Sequence, residues 1–130
     1  MKTNLIYSFL SDNSYLLPLG IVILTLTMLG LMLFPANLIG DHKIWSYDKI
    51  GHLVLFGSWT YILGLYQHIN RNSATKLWVI FLAGIVFGLS IELLQHILPL
   101  NRHGNFGDLL FDTLGCLIAV GALKKTIPYK

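Results

Sequence analysis

The chain has 130 residues, 55% of them hydrophobic and 12% charged, with a formal net charge of +3. Soluble domains carry about a quarter charged residues, so this composition excludes an ordinary soluble globular protein. The positive balance does not indicate nucleic acid, because the basic residues form neither a stripe nor an Arg-rich run.

Those basic residues sit in the gaps between long apolar runs, where membrane topology puts them. A bilayer core ~30 Å thick needs roughly 20 apolar residues in helical form. A chain of this length holds about four such spans with short loops, and no separate soluble domain. The single cysteine, Cys116, cannot form an internal disulfide. It lies inside an apolar run and reads as a small packing residue.

Residues 1–14 are mixed and polar enough for a short tail. Residues 16–34 form the first predicted span, closed by Pro35. A secretory signal would have an apolar core of only about 7–15 residues and a small-residue cleavage site; this run is longer, so it is read as retained. Residues 36–47 are a loop broken by Gly40 and Asp41, with Trp45 and Tyr47 suited to the lipid–water boundary. The second span covers residues 49–67, and a basic loop follows in which Ser73 is available as a helix cap. The third covers residues 77–98 and stops at Pro99, since the residue before a proline is biased out of the helical region. The fourth covers residues 107–123, short for a crossing unless it begins near Phe106. The fold class is therefore all-α, a transmembrane four-helix bundle forming one membrane domain over residues 1–130.

Orientation follows from Lys and Arg placement. Lys2, Arg71, Lys76, Lys124, Lys125 and Lys130 fall on one side, and Lys43, Lys49 and Arg102 on the other. The richer side is cytoplasmic, which puts both termini inside a multi-pass protein of the cytoplasmic (inner) membrane. Asp41, Asp48, Glu92, Asp108 and Asp112 then gather at the outer face, with His42, His52, His96 and His103.

Residues three or four apart share a helix face. On the third span Gly84, Gly88, Glu92 and Gln95 make one stripe; on the fourth, Asp108, Asp112, Gly115 and Ala119; on the second, Asp48, His52 and Leu55. Small residues spaced by four let helices approach closely. Intramembrane ionisable groups are costly and face a bundle interior or a wet cavity. The simplest arrangement turns the three stripes toward one outward-facing polar pocket.

Each residue also has a plainer account. Asp48 and Asp108 stand where helix N-caps stand. Lys49 can snorkel to headgroups, His52 can be a hydrogen-bonded packing histidine, and Glu92 with Arg102 can be a structural ion pair. No cap explains Asp112. Gln95 reads as a bond to a neighbouring helix, His96 as facing headgroups, and His42 and His103 as solvated loop residues.

Three chemistries fit the set. A metal signal is weak, because neither HExxH nor a pair of histidines four apart is present; no metal or cofactor is assigned. General acid–base work on a lipid-linked substrate would fall to His52, Glu92, Asp108 or Asp112. Binding of phosphate or carboxylate would fall to Lys49 and Arg102.

Asp48-Lys49-Ile50-Gly51-His52 with Phe56, then Glu92 and Gln95, then Arg102 and the 108–115 stretch, resemble the VanZ-like membrane proteins over roughly residues 48–121. The family often has Asn where this chain has Asp112, which adds a possible charge to the pocket. The resemblance implies a small multi-helix membrane protein. The family's namesake is associated with resistance to the glycopeptide teicoplanin; the resemblance supplies neither a biochemical activity nor resistance for this chain. The leading functional expectation is binding or modification of an anionic cell-envelope lipid or precursor through Asp48, Lys49, His52, Glu92, Gln95, Arg102, Asp108 and Asp112. The alternatives are an acid–base enzyme on a lipid-linked substrate, a proton- or ion-coupled carrier, and a structural assembly factor.

Overall fold

The computed structural model describes residues 5–35, 47–71, 76–101 and 104–127. The described residues are all-α, in five helices: α1 (Leu5–Asp12), α2 (Leu16–Met32), α3 (Asp48–Arg71), α4 (Leu77–Ile97) and α5 (Phe106–Thr126).

The first helix corrects the expected N-terminal tail. Within residues 1–14, Leu5, Ile6, Tyr7, Phe9 and Leu10 supply enough apolar surface for a short helix, and Tyr7 and Leu10 pack on the cluster of Leu17, Leu65, Ile80, Leu123 and Ile127. The α1 and α2 axes differ by 98°. Pro18 accounts for the break: in a continuous helix its ring would meet the carbonyl of Ser14, the residue four before it. The chain turns there, and the Asn13 side chain donates to the Phe9 carbonyl at 2.9 Å, closing α1.

Proline also ends the long helices. Leu98, before Pro99, and Ile127, before Pro128, are both extended, at φ −79°, ψ 144° and φ −76°, ψ 124°, as the clash with the proline ring requires. The turn between α4 and α5 holds Asn101 at φ 51°, the left-handed region that asparagine tolerates better than most residues.

Among the described residues α4 and α5 are long and apolar enough to cross a membrane, and the bent α1–α2 pair makes a third candidate. α5 starts at Phe106 and runs 21 residues, which gives it the length that residues 107–123 lacked. α3 is longer still, at 24 residues, yet is not among the candidates. Asp48, Lys49, His52, Gln67, His68 and Asn70 dilute its apolarity. Its position explains how it carries them. α3 touches α2, α4 and α5, and of its described side chains only Lys49, Ile50, Val54 and Asn70 are exposed. The other three long helices turn Leu, Ile, Val and Phe outward, the surface a lipid environment accepts.

Two apolar clusters mark the two ends. One joins Leu17, Leu65, Ile80 and Leu123; the other joins Met28, Met32, Phe56, Ile91 and Cys116. The starts of α2 and α4 therefore meet the ends of α3 and α5, and successive long helices alternate in direction. Glycines set the closest approaches. A Cβ on Gly115 would collide with the Leu53 carbonyl and lie 3.0 Å from the Gly57 backbone nitrogen. α3 and α5 thus touch backbone to backbone, an approach small residues permit between membrane helices.

Candidate functional site

The close α3–α5 approach decides where the polar residues meet. Asp48 and His52 lie one turn apart at the start of α3. Asp108 and Asp112 lie one turn apart at the start of α5. The expected stripes converge there: His52 Nδ1 and Asp112 Oδ1 are 2.8 Å apart, with the imidazole 1% exposed and the carboxylate fully buried. An ionised carboxylate only accepts, so Nδ1 carries the proton and donates; in the neutral imidazole Nε2 then keeps a lone pair. The Asp48 carboxylate stands 4.0 Å from that Nε2, too far for a hydrogen bond. Phe56, fully buried one turn deeper, stacks its ring near-parallel to the imidazole at 6.2 Å and forms the apolar floor.

α4 closes the site from the side. Gly84 and Gly88 pack on α5: a Cβ at Gly88 would lie 2.9 Å from Asp112 Oδ2, and one at Gly84 would press on Cys116 Sγ and Thr60 Oγ1. The glycine stripe read from the sequence is thus the seam along which α4 meets Asp112 and Cys116. Glu92, half-buried, accepts a hydrogen bond from the Asn105 backbone N–H through Oε2 at 2.8 Å. It ties the chain entering α5 to α4, and Gly104 passes so near that a Cβ would sit 2.8 Å from the Glu92 carbonyl. The other Glu92 oxygen, Oε1, has no hydrogen-bond partner among the described residues; neither has His52 Nε2 nor Asp112 Oδ2. Native structures pair nearly all such atoms.

Within each of two overlapping triads, Asp48–His52–Asp108 and His52–Glu92–Asp112, one donor atom per residue lies within 4.8 Å of the others. Asp108 is 7% exposed and does not cap its helix; that role belongs to Asn105, whose side chain accepts from Gly107 N–H at 2.9 Å. The cap is legible in the sequence as an Asn one residue ahead of the helix. Lys49 is exposed at the rim and lies over the start of α5, its Nζ 3.4 Å from where a Gly107 Cβ would be. Gln95 turns elsewhere: it is buried and donates to the Met32 carbonyl at 2.8 Å, joining α4 to the end of α2. His96 is exposed. Arg102 and His103, like Asp41, His42, Lys43, Trp45 and Ser73, lie outside the described residues, and so do the Glu92–Arg102 pair and any anion contact of Arg102.

Buried carboxylates and an imidazole at one end of a set of apolar helices define a helical membrane protein, with two or three candidate spans, built around an ionisable cluster. The chain matches the VanZ/LLP1 family over residues 6–127 and belongs to that family. The match takes in α1 and α2 as well as the stretch that carries the motif residues. No curated protein and no solved structure gives a significant match.

Proposed function

We propose that this VanZ/LLP1 protein binds an anionic component of the cell envelope at the end of the molecule where α3 and α5 begin. In this reading α2–α5 form a transmembrane four-helix bundle, with both termini cytoplasmic and the cluster facing outward in the inner membrane. α3 crosses as the central helix, shielded from lipid by its neighbours. The observation that carries the reading is a group of buried polar atoms with no hydrogen-bond partner among the described residues: His52 Nε2, Glu92 Oε1 and Asp112 Oδ2, acceptors that a hydroxyl, an amine or a cation brought in with the anion would complete. A cluster that served only to hold helices together would satisfy its own members, because a half-satisfied buried network costs more than an apolar core. Open valences at one place are the mark of a site that an incoming molecule completes. Lys49 at the rim supplies a positive contact for phosphate or carboxylate, and Arg102, in the stretch of sequence between α4 and α5, is the candidate for a second.

The test is sensitivity to envelope-directed antibiotics, teicoplanin included, in cells expressing Arg102→Ala or Glu92→Gln at matched protein levels. The expected result is a shift for both variants. No shift in either leaves the cluster with a structural role alone.

A second reading is favoured by the His52–Asp112 bond. Asp112 fixes the imidazole so that Nε2 points to the working side, the arrangement of a general base. It predicts turnover of a lipid-linked envelope substrate by purified protein and loss of turnover in His52→Ala. Persistent turnover in that variant excludes His52 as the base.

A further inference from the structure

The charges in the cluster do not suit an anion by themselves. Asp48, Glu92, Asp108 and Asp112 converge on one imidazole, and Lys49 stays at the rim. An anion entering alone would meet carboxylates of its own sign. We propose that Asp48, His52 and Asp108 hold a divalent first-row cation, Zn²⁺ or Mn²⁺, with Asp112 orienting the imidazole from behind.

Donor chemistry and geometry support this independently. Their donor atoms lie within 4.8 Å of one another. Metal–ligand distances of ~2.0–2.2 Å at a tetrahedral angle put ligands about 3.4 Å apart. The 4.0 Å between His52 Nε2 and Asp48 Oδ1 is too long for a hydrogen bond and close to a pair of ligands across an ion. The Nε2 atom has no hydrogen-bond partner among the described residues, on a side chain 1% exposed. A buried imidazole nitrogen with a free lone pair, aimed among carboxylates, is what a ligating histidine presents. Its other nitrogen donates to Asp112 at 2.8 Å, the carboxylate–histidine arrangement that fixes tautomer and ring orientation in metal sites. One imidazole with carboxylates suits zinc or manganese better than calcium or potassium. The overlapping triad, His52–Glu92–Asp112, is the poorer home, because the imidazole nitrogen that faces Asp112, Nδ1, is already bonded to it at 2.8 Å, whereas Nε2 faces Asp48.

A cation at this position would also let the acidic pocket receive phosphate, with the ion bridging the carboxylates and the incoming oxygen. That link rests on the anion-binding reading; the cation itself does not.

The experiment uses the full chain in phosphatidylcholine nanodiscs, stripped with chelator and free of any envelope component. Mn²⁺ binding is followed by loss of the free-ion electron paramagnetic resonance signal, and Zn²⁺ binding by calorimetry. One saturable site per chain is expected. Asp48→Asn and Asp108→Asn should each weaken binding about a hundredfold or more, and Asp112→Asn about ten- to a hundredfold, as loss of an outer partner does. Glu92→Gln and the remote Asp12→Asn should change it less than about threefold. Bound Mn²⁺ should show a nitrogen coupling that His52→Gln removes. Asp48 is 30% exposed, so its variant keeps the test sound where a buried substitution disturbs folding. Absence of saturable binding, wild-type affinity in both Asp48→Asn and Asp108→Asn, or abolition by Glu92→Gln would overturn the proposal. Because no envelope component is present, failure here leaves anion binding standing. Antibiotic sensitivity unchanged by Arg102→Ala and Glu92→Gln would likewise leave the cation standing.

Discussion

Replacing Asp112 by asparagine and, separately, by alanine divides its hydrogen bond from its charge. The alanine variant removes a carboxyl group that is fully buried and 2.8 Å from His52 Nδ1. The imidazole N–H is then buried without an acceptor, which costs about 1–3 kcal/mol. The void, on the order of 30 Å³, adds roughly 0.7 kcal/mol at ~24 cal/mol per Å³. A loss of about 2–4 kcal/mol is expected. Asparagine keeps an oxygen in the Oδ1 position, and its amide nitrogen fits beside Gly88, where Asp112 Oδ2 now sits. Its cost should stay within about 1 kcal/mol, near the small net worth of most polar contacts between membrane helices. The assay is denaturant unfolding of purified protein in mixed micelles, followed by tryptophan fluorescence. Equal destabilisation by Asn and Ala would show that the charge of Asp112, not its acceptor oxygen, holds His52. Neutrality of both would show that the pair does not support the fold at all.

Further outcomes follow from the packing. Gly115→Ala drives a methyl into the Leu53 carbonyl and the Gly57 backbone, which cannot yield as a side chain can; about 1–3 kcal/mol of destabilisation is expected in the same assay. Gly30→Ala and Gly121→Ala meet nothing within 4 Å and should be neutral or gain up to about 1 kcal/mol of helix propensity, so a loss at these two matching Gly115→Ala would refute the close-approach argument. Cys116 is fully buried, 3.2 Å from Thr60 Oγ1, and should react with a maleimide only after unfolding in sodium dodecyl sulfate; rapid labelling of native protein would contradict the α3–α5 seam. Gln95→Leu removes the tie from α4 to the Met32 carbonyl and should cost about 0.5–1.5 kcal/mol, read by the same unfolding midpoint.

Much of the fold was legible because its punctuation is chemical. Pro35, Pro99 and the apolar runs between polar gaps gave the positions of the four long helices, and the spacing of Gly84 and Gly88 gave the face on which α4 packs. The bend at α1 was not legible, since a short apolar run before Pro18 reads equally as a tail. The site was partly legible for a related reason. Asp48–His52 and Asp108–Asp112 are four apart, so each pair had to share a face. Spacing within a helix says nothing about which turn of the neighbouring helix lies opposite. That register came from Gly57 and Gly115 meeting, and it set Asp112 against His52 and Asp108 toward Asp48. Gln95 shared a stripe with Glu92 in sequence, yet three residues of helical rotation and the Met32 carbonyl at the end of α2 turned it toward α2.

The same register explains how a chain this apolar tolerates its ionisable cluster. Asp48 and Asp108 each sit in the first turn of a helix, where the positive end of the helix dipole favours a carboxylate. Both helices begin at the same end, so the two favourable fields add over one small volume. Asp112, a turn further in, gains less from the dipole and depends on His52. Glu92 lies near the end of α4, where the dipole has the opposite sign, and depends instead on the Asn105 backbone N–H. Each of these two carboxylates also has one buried oxygen with no hydrogen-bond partner among the described residues. Replacing the four acids with leucine would relieve that cost, as exchange of buried ion pairs for apolar groups often does. The presence of Asp112 and Glu92 where helix geometry gives least support is an argument for the proposal that they serve something that enters the site.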